Sequence, residues 1–85
     1  MQPVVGIDVA KGISVIQAFI DRNEPYGRMK NLQHGEKGFE QLGELLETLK
    51  QASGVEPVVV LEATGHYHRS LTEYLKRSGW THYIV

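Results

Sequence analysis

Two carboxylates lie inside apolar segments of this sequence, and their residue type and position could support chemistry. Asp8 lies within residues 3–10, PVVGIDVA, and Glu62 ends residues 58–62, VVVLE. Acids seldom occupy apolar strands unless they are paired or bind a metal ion. Carboxylate oxygens suit Mg²⁺, and a pair of such ions assists phosphodiester cleavage. We therefore expect a cation site, with its further acids supplied from beyond Val85 or by another chain.

The first half of the sequence has the pattern of a strand meander. Residues 3–10 are rich in β-branched side chains and end at a Lys-Gly turn, which predicts a buried strand. Because side chains alternate along a strand, Asp8 should share its face only with the small residues Gly6 and Ala10. Residues 13–20 predict a second strand, residues 21–25 a polar turn, and residues 26–32 a weaker third strand.

The second half alternates helices with strands. Residues 36–51 repeat apolar side chains every three or four positions, which predicts an amphipathic helix that ends at Ser53-Gly54. The run 58–62 predicts a strand covered on both faces, followed by a turn of small residues. A second helix then ends at Gly79 before a last strand, residues 81–85. Its predicted buried stripe consists of Tyr67, Leu71, Tyr74 and Leu75.

The resulting order, β-β-β-α-β-α-β, predicts an α/β fold with helices packed on a mixed sheet, since β-α-β segments form parallel crossovers. The first and fourth strands can then be parallel neighbours. In that case Asp8 and Glu62 meet at the carboxyl edge of the sheet, where α/β proteins bind ligands.

Composition sets limits on these expectations. Eighty-five residues form one small domain, and the absence of cysteine excludes disulfides and thiolate metal sites. The sequence shows neither a membrane-spanning run nor a signal peptide, so we expect a cytoplasmic protein. A formal net charge of -1 provides no general attraction to nucleic acid. Any role with DNA or RNA must therefore depend on local chemistry.

Two motifs resemble a known family. They are Gly-Ile-Asp-Val-Ala-Lys at residues 6–11 and Leu-Glu-Ala-Thr-Gly-His-Tyr-His at residues 61–68, followed by Leu71 and Leu75. Together they closely resemble the opening of the DEDD-type transposases of the insertion sequence 110 group, the Piv/MooV recombinases. The similarity covers essentially the whole chain. The second motif is the specific one, whereas the first alone would be weak.

The resemblance implies a RuvC-like domain of RNase H-like fold, of which residues 1–85 would be the N-terminal part. Asp8 and Glu62 would be the first two acids of the DEDD set and ligands of Mg²⁺ or Mn²⁺, with two ions in the complete domain. In the family, two further aspartates complete the DEDD set, a separate C-terminal domain supplies a nucleophilic serine, and a guide RNA directs the recombination of DNA. These 85 residues alone should then be inactive and should self-associate.

Other residues near the motifs have competing interpretations. Lys11 could contact a phosphate or be a solvated turn residue, and Thr64 and Gly65 could meet a phosphate or form only a helix cap. His66 and His68 are two residues apart, a spacing that places them on different faces of a helix, so they are poor partners for one metal ion, although one could contact nucleic acid. Beside them, Tyr67 is expected in the core.

Two other function classes remain open at this stage. A sugar-kinase or actin-like ATP-binding domain also opens on Gly-Ile-Asp, but its hairpin turn usually has Gly, Ser or Thr after the acid, where this sequence has Val9 and Ala10. The chain could instead be a non-catalytic module that binds RNA or another subunit. Such a module would tolerate loss of Asp8.

Overall fold

The computed structural model describes residues 2–63 and 65–85. The chain forms five strands and two helices, with three strands before the first helix, and the strands make one mixed sheet. In chain order the elements are β1 (Val4–Val9), β2 (Ile13–Asp21), β3 (Glu24–Gln33), α1 (Glu36–Ser53), β4 (Val58–Ala63), α2 (Arg69–Ser78) and β5 (His82–Ile84).

The sheet has the order β3-β2-β1-β4-β5, with β1 at its centre. β1 is antiparallel to β2 and parallel to β4, and β4 is parallel to β5. The expected parallel pairing of the first and fourth strands is therefore confirmed. The carboxyl ends of β1, β3, β4 and β5 all lie at one edge of the sheet, which we call the carboxyl edge.

Both helices cover the same face of the sheet. Strand residues that alternate toward this face are fully buried, including Val5 and Ile7 on β1 and Val59 and Leu61 on β4. The helices meet them with the predicted apolar stripes. The buried helix side chains are Phe39, Leu42, Leu46 and Leu49 on α1 and Leu71 and Leu75 on α2.

The opposite face, which we call the open face, is not covered by any helix among the described residues. β4 was expected to be covered on both sides, and this is wrong for the described part of the chain: Val58 and Val60 are only half-buried and Glu62 is exposed. The physical reason is that α1 and α2 pack on one side, so alternate residues of β4 face away from them.

The hairpin between β2 and β3 is tighter than expected. The polar turn predicted for residues 21–25 contains only two turn residues, because Asp21 and Glu24 still pair across the strands. Asn23 makes this possible by adopting a positive φ of 59°, a conformation that asparagine tolerates. Pro25 fits in β3 because this strand lies at an edge of the sheet.

The second helix starts later than its apolar pattern indicates. Residues 65–68 form turns and α2 begins at Arg69, so Tyr67 lies outside the helix and is 38% exposed. The expectation that Tyr67 belongs to the core is therefore wrong. Instead, Tyr74 is half-buried and its ring stacks on Phe39 of α1, with 5.3 Å between ring centroids. No helix among the described residues is long and apolar enough to cross a membrane.

Candidate metal centre

Asp8 and Glu62 lie side by side on the open face. They are direct register partners on the parallel strands β1 and β4, whose separation in a sheet is about 4.8 Å. Both side chains are exposed, although each strand carries buried neighbours on its other face. Strand alternation thus brings both carboxylates to the same surface, one residue before the last position of each strand.

A cavity of about 580 Å³ extends over the open face next to the two acids. Asp8 and Glu62 provide its acidic end. Its remaining wall is mostly apolar, with the amide of Gln17 as a further polar group. The lining residues are Gly6, Ile7, Asp8, Val15, Gln17, Met29, Val60, Glu62 and Val85.

The donor set fits a hard divalent cation. Mg²⁺ prefers six oxygen ligands and keeps several of its waters, so two exposed carboxylates leave positions for water and for substrate oxygens. Among residues 2–63 and 65–85, no group of three or more histidine, cysteine or acidic side chains could hold a metal ion. A metal site at Asp8 and Glu62 would therefore have two carboxylates from the described residues rather than a complete set of ligands.

The segments that follow β1 and β4 at the carboxyl edge contain several of the other residues singled out in the sequence. Lys11 is exposed in the turn that follows β1. Gly65 adopts a φ of 68°, a left-handed backbone conformation that glycine tolerates better than other residues, so the conformation alone explains why glycine occurs there. His66 is exposed and its ring packs against Tyr67, with 5.0 Å between centroids. The possible phosphate contact of Thr64 lies outside the described residues.

His68 has a mainly structural position. It is the N-cap residue of α2, and its carbonyl accepts hydrogen bonds from the backbone N–H and the hydroxyl of Thr72, at 2.9 and 3.2 Å. Its Nδ1 is buried without a hydrogen-bond partner among the described residues. His66 and His68 both precede the helix, so the expectation that they occupy different helical faces does not apply.

Sequence reasoning missed two residues that share the cavity with the acids. Gln17 comes from β2 and Met29 from β3. Met29 lies in a bulge of β3, where extra residues between Tyr26 and Lys30 stand opposite Gln17. Alternation along β2 could have identified Gln17, since it is a polar residue between the apolar Val15 and Phe19 on the outward face of that strand. The bulge has no comparable signal in the sequence.

A buried polar contact lies beneath the same edge. Ser14 is fully buried on the helix-covered face of β2, and its Oγ is 2.6 Å from Nε2 of His34, which follows β3. Burial lowers the pKa of the His34 imidazole from its usual 6.5.

At the opposite end of the sheet, the backbone N–H groups of Arg22 and Gln2 lower the pKa of the Asp21 carboxyl.

Comparison with known proteins decides the family. A family model described as a transposase, that of the DEDD transposases of insertion sequence 110, matches residues 5–85. The chain belongs to this family. The match includes both acids of the candidate metal centre and nearly the whole described fold, so the resemblance noted in the sequence is confirmed. No curated protein matches the transposase chain.

The fold is also similar to that of a sugar-phosphorylating enzyme. A crystal structure of a ROK hexokinase from Thermus thermophilus aligns with a TM-score of 0.56 and 17% sequence identity, over 99% of this chain and 33% of the hexokinase chain. The transposase chain thus spans about a third of that protein. At this identity the likeness concerns the fold alone, a mixed sheet with helices.

Proposed function

We propose that this chain contributes Asp8 and Glu62 to a divalent-metal site with which the transposase cuts and joins DNA during transposition of an insertion sequence. The metal would be Mg²⁺ or Mn²⁺, with two ions when all ligands are present. The observation that carries the proposal is the register pairing of the two acids on the exposed face of parallel neighbouring strands.

The roles of the two side chains follow from this placement. Each carboxylate extends from a strand that is anchored in the core by its alternate residues, so the backbone of neither acid has to be ordered when an ion binds. Asp8 and Glu62 would hold ions that, when bound, would supply activation of the attacking oxygen and stabilisation of the leaving oxygen of a phosphodiester. Two carboxylates satisfy only part of the coordination, and water, substrate oxygens and the further acids that the family resemblance implies outside these 85 residues would complete it.

Substrate and fold belong to the same proposal. DNA is the substrate we propose, in the cytoplasm and with a guide RNA selecting the sites, as the family resemblance implies. We also propose that the sheet is the RuvC-like form of the RNase H-like fold, supported by a central β1 flanked by antiparallel β2 and parallel β4. The hexokinase likeness does not favour a kinase, because Val9 and Ala10 follow Asp8 where a phosphate-binding turn has Gly, Ser or Thr.

The direct test uses the purified transposase with Asp8→Asn or Glu62→Gln. Both changes keep the size of the side chain and remove the negative charge that holds the cation. We expect each variant to lose DNA cleavage and joining by at least about a hundredfold, the loss typical of a removed group that stabilises transition-state charge, with an unchanged melting temperature.

Glu47→Gln provides the matched control, since Glu47 is an exposed acid on α1, on the covered side of the sheet. It should recombine DNA at the rate of the unmodified protein. Wild-type rates for Asp8→Asn would contradict the proposal and favour a non-catalytic binding module.

A further inference from the structure

Gly6 differs from every other glycine of the chain. Of the nine glycines, six adopt a positive φ that favours this residue. At Gly38 an added Cβ would collide with the backbone of Gln33, and at Gly43 it would collide with the hydroxyl of Tyr74. Gly6 has neither reason, because its φ is not positive and the nearest atom to an added Cβ is the Gln17 carbonyl oxygen at 3.9 Å.

The fold therefore gains nothing from a glycine at this position. Glycine inside a strand costs stability relative to alanine, since it has more freedom to lose on folding and no side chain to pack. An interior strand glycine without a positive φ often marks a place where a ligand or another backbone comes close. The neighbours of Gly6 on the open face leave a hollow above it, in the cavity that also contains the acid pair.

The surroundings of this hollow suit one class of ligand. Gly6 lies two residues from Asp8 along β1, roughly 6.6 Å away, which is about the reach of a sugar attached to a phosphate at the acid pair. Its register partners are Gln17 on β2 and Val60 on β4, and Val60 pairs in turn with Tyr83 on β5. Tyr83 is 60% exposed. An amide and an exposed aromatic ring are groups that bind unpaired nucleotides through hydrogen bonding and base stacking.

We propose that the hollow above Gly6 receives the nucleotide next to the phosphate bound at Asp8 and Glu62. Its sugar lies between the amide of Gln17 and the side chain of Val60, and its base reaches across Val60 to stack on the ring of Tyr83, one strand further along the open face. This rests on the proposed function, because it takes the bound phosphate as its reference. It adds a nucleotide subsite that exists because Gly6 has no side chain. The subsite leaves room for a DNA strand to pass over β1, the central strand of the sheet.

The test fills the hollow without disturbing the fold. Gly6→Ala and Gly6→Val add side chains where the structure has room, and valine is a favourable strand residue. Val4→Ile is the control, since it adds one methylene group on the same face of β1, two residues further from the acids. For each purified transposase variant, the melting temperature, the Mn²⁺ affinity and the affinity for a fluorescent single-stranded DNA oligonucleotide at saturating Mn²⁺ are measured.

We expect melting temperatures and Mn²⁺ affinities at or above those of the unmodified protein for both glycine variants. Oligonucleotide affinity should fall stepwise, by at least tenfold in Gly6→Val, and should be unchanged in Val4→Ile. Wild-type oligonucleotide affinity in Gly6→Val, or no measurable binding by the unmodified protein, would overturn the inference. A fall in melting temperature or a change in oligomeric state would also overturn it, because a protein segment would then occupy the hollow.

The inference and the proposed function fail in different ways. Unchanged Mn²⁺ affinity and DNA cleavage in Asp8→Asn would refute the metal site, whatever the glycine variants do. Retained oligonucleotide binding in Gly6→Val, together with loss of cleavage in Asp8→Asn, would refute only the nucleotide subsite.

Discussion

The contact between Ser14 and His34 connects the core to the edge that carries the acids. Ser14 is fully buried, and the imidazole of His34 is 2.6 Å from its hydroxyl oxygen and tilted against the ring of Phe39. The backbone N–H of His34 also donates to the carbonyl of Gly12, in the turn after β1. These contacts fix the end of β3 against the turn that contains Lys11.

His34 should make stability depend on pH. Burial lowers its pKa in the folded chain below 6.5, so the unfolded chain takes up a proton at a higher pH than the folded chain does. The free energy of unfolding should therefore fall as pH drops through 6.5 and level off below the folded pKa. Urea denaturation across this range should show the fall in the unmodified chain and a smaller one in His34→Gln.

His66→Gln is the matched control, since His66 is exposed in the loop after β4. It should keep the pH dependence of the unmodified chain. If the free energy of unfolding of His34→Gln varied with pH as steeply as that of the unmodified chain, this account of the half-buried imidazole would be contradicted.

At the scale of elements, periodicity predicted much of the fold. Each element has apolar residues on the face that packs in the core, so its sequence repeats with the period of the element. This repeat identified β1 from the alternation in residues 3–10 and α1 from the three-to-four spacing in residues 36–51. The start of α2 could not be identified in this way, because Tyr67 continues the apolar spacing although the backbone still turns there. The bulge in β3 depends on pairing with β2, which leaves no local signal.

The candidate site was predictable to a similar extent. The order of the elements was enough to bring Asp8 and Glu62 to one edge. The exact pairing of the two acids required the register of β1 and β4, and the hollow above Gly6 required knowledge of what surrounds it. Register and free space are properties of several strands together, so one strand's sequence does not reveal them.

Two glycines on α1 should respond differently to substitution by alanine. Alanine normally stabilises a helix relative to glycine by about 1 kcal/mol. At Gly38, however, the new methyl group meets the backbone of Gln33, which cannot move without shifting β3. Overpacking of this kind costs about 1–3 kcal/mol, so Gly38→Ala should be clearly destabilised.

At Gly43 the obstacle is the hydroxyl end of the Tyr74 side chain, which can rotate away. Gly43→Ala should therefore lose less stability than Gly38→Ala in chemical denaturation. The reverse order would show that the contact between α1 and the end of β3 is looser than described.

At the scale of the whole molecule, the two edges of the sheet differ. The β3 edge contains a bulge, a proline and exposed basic residues, which are features that discourage pairing with another strand. The β5 edge has exposed apolar side chains instead, with Tyr83 60%, Ile84 50% and Val85 71% exposed. We propose that a second copy of the chain pairs along β5.

Sedimentation velocity of the purified chain should then show association that increases with concentration. Ile84→Lys should weaken it, because a charge at the strand edge opposes pairing. Met29→Lys, which adds the same charge at the 65% exposed Met29 on β3, should leave association intact. A monomer at all concentrations would contradict the proposed pairing.

The central claim, that Asp8 and Glu62 form a cation site, is tested most directly by Mn²⁺ titration of the isotopically labelled chain, monitored by NMR. The exposed acids of α1, Glu40, Glu44 and Glu47, provide an internal competitor on the other side of the sheet. At low Mn²⁺ the amide signals of Asp8, Glu62 and their strand neighbours should broaden first, and Asp8→Asn should abolish this. Broadening that begins along α1, or that persists in Asp8→Asn, would contradict the claim.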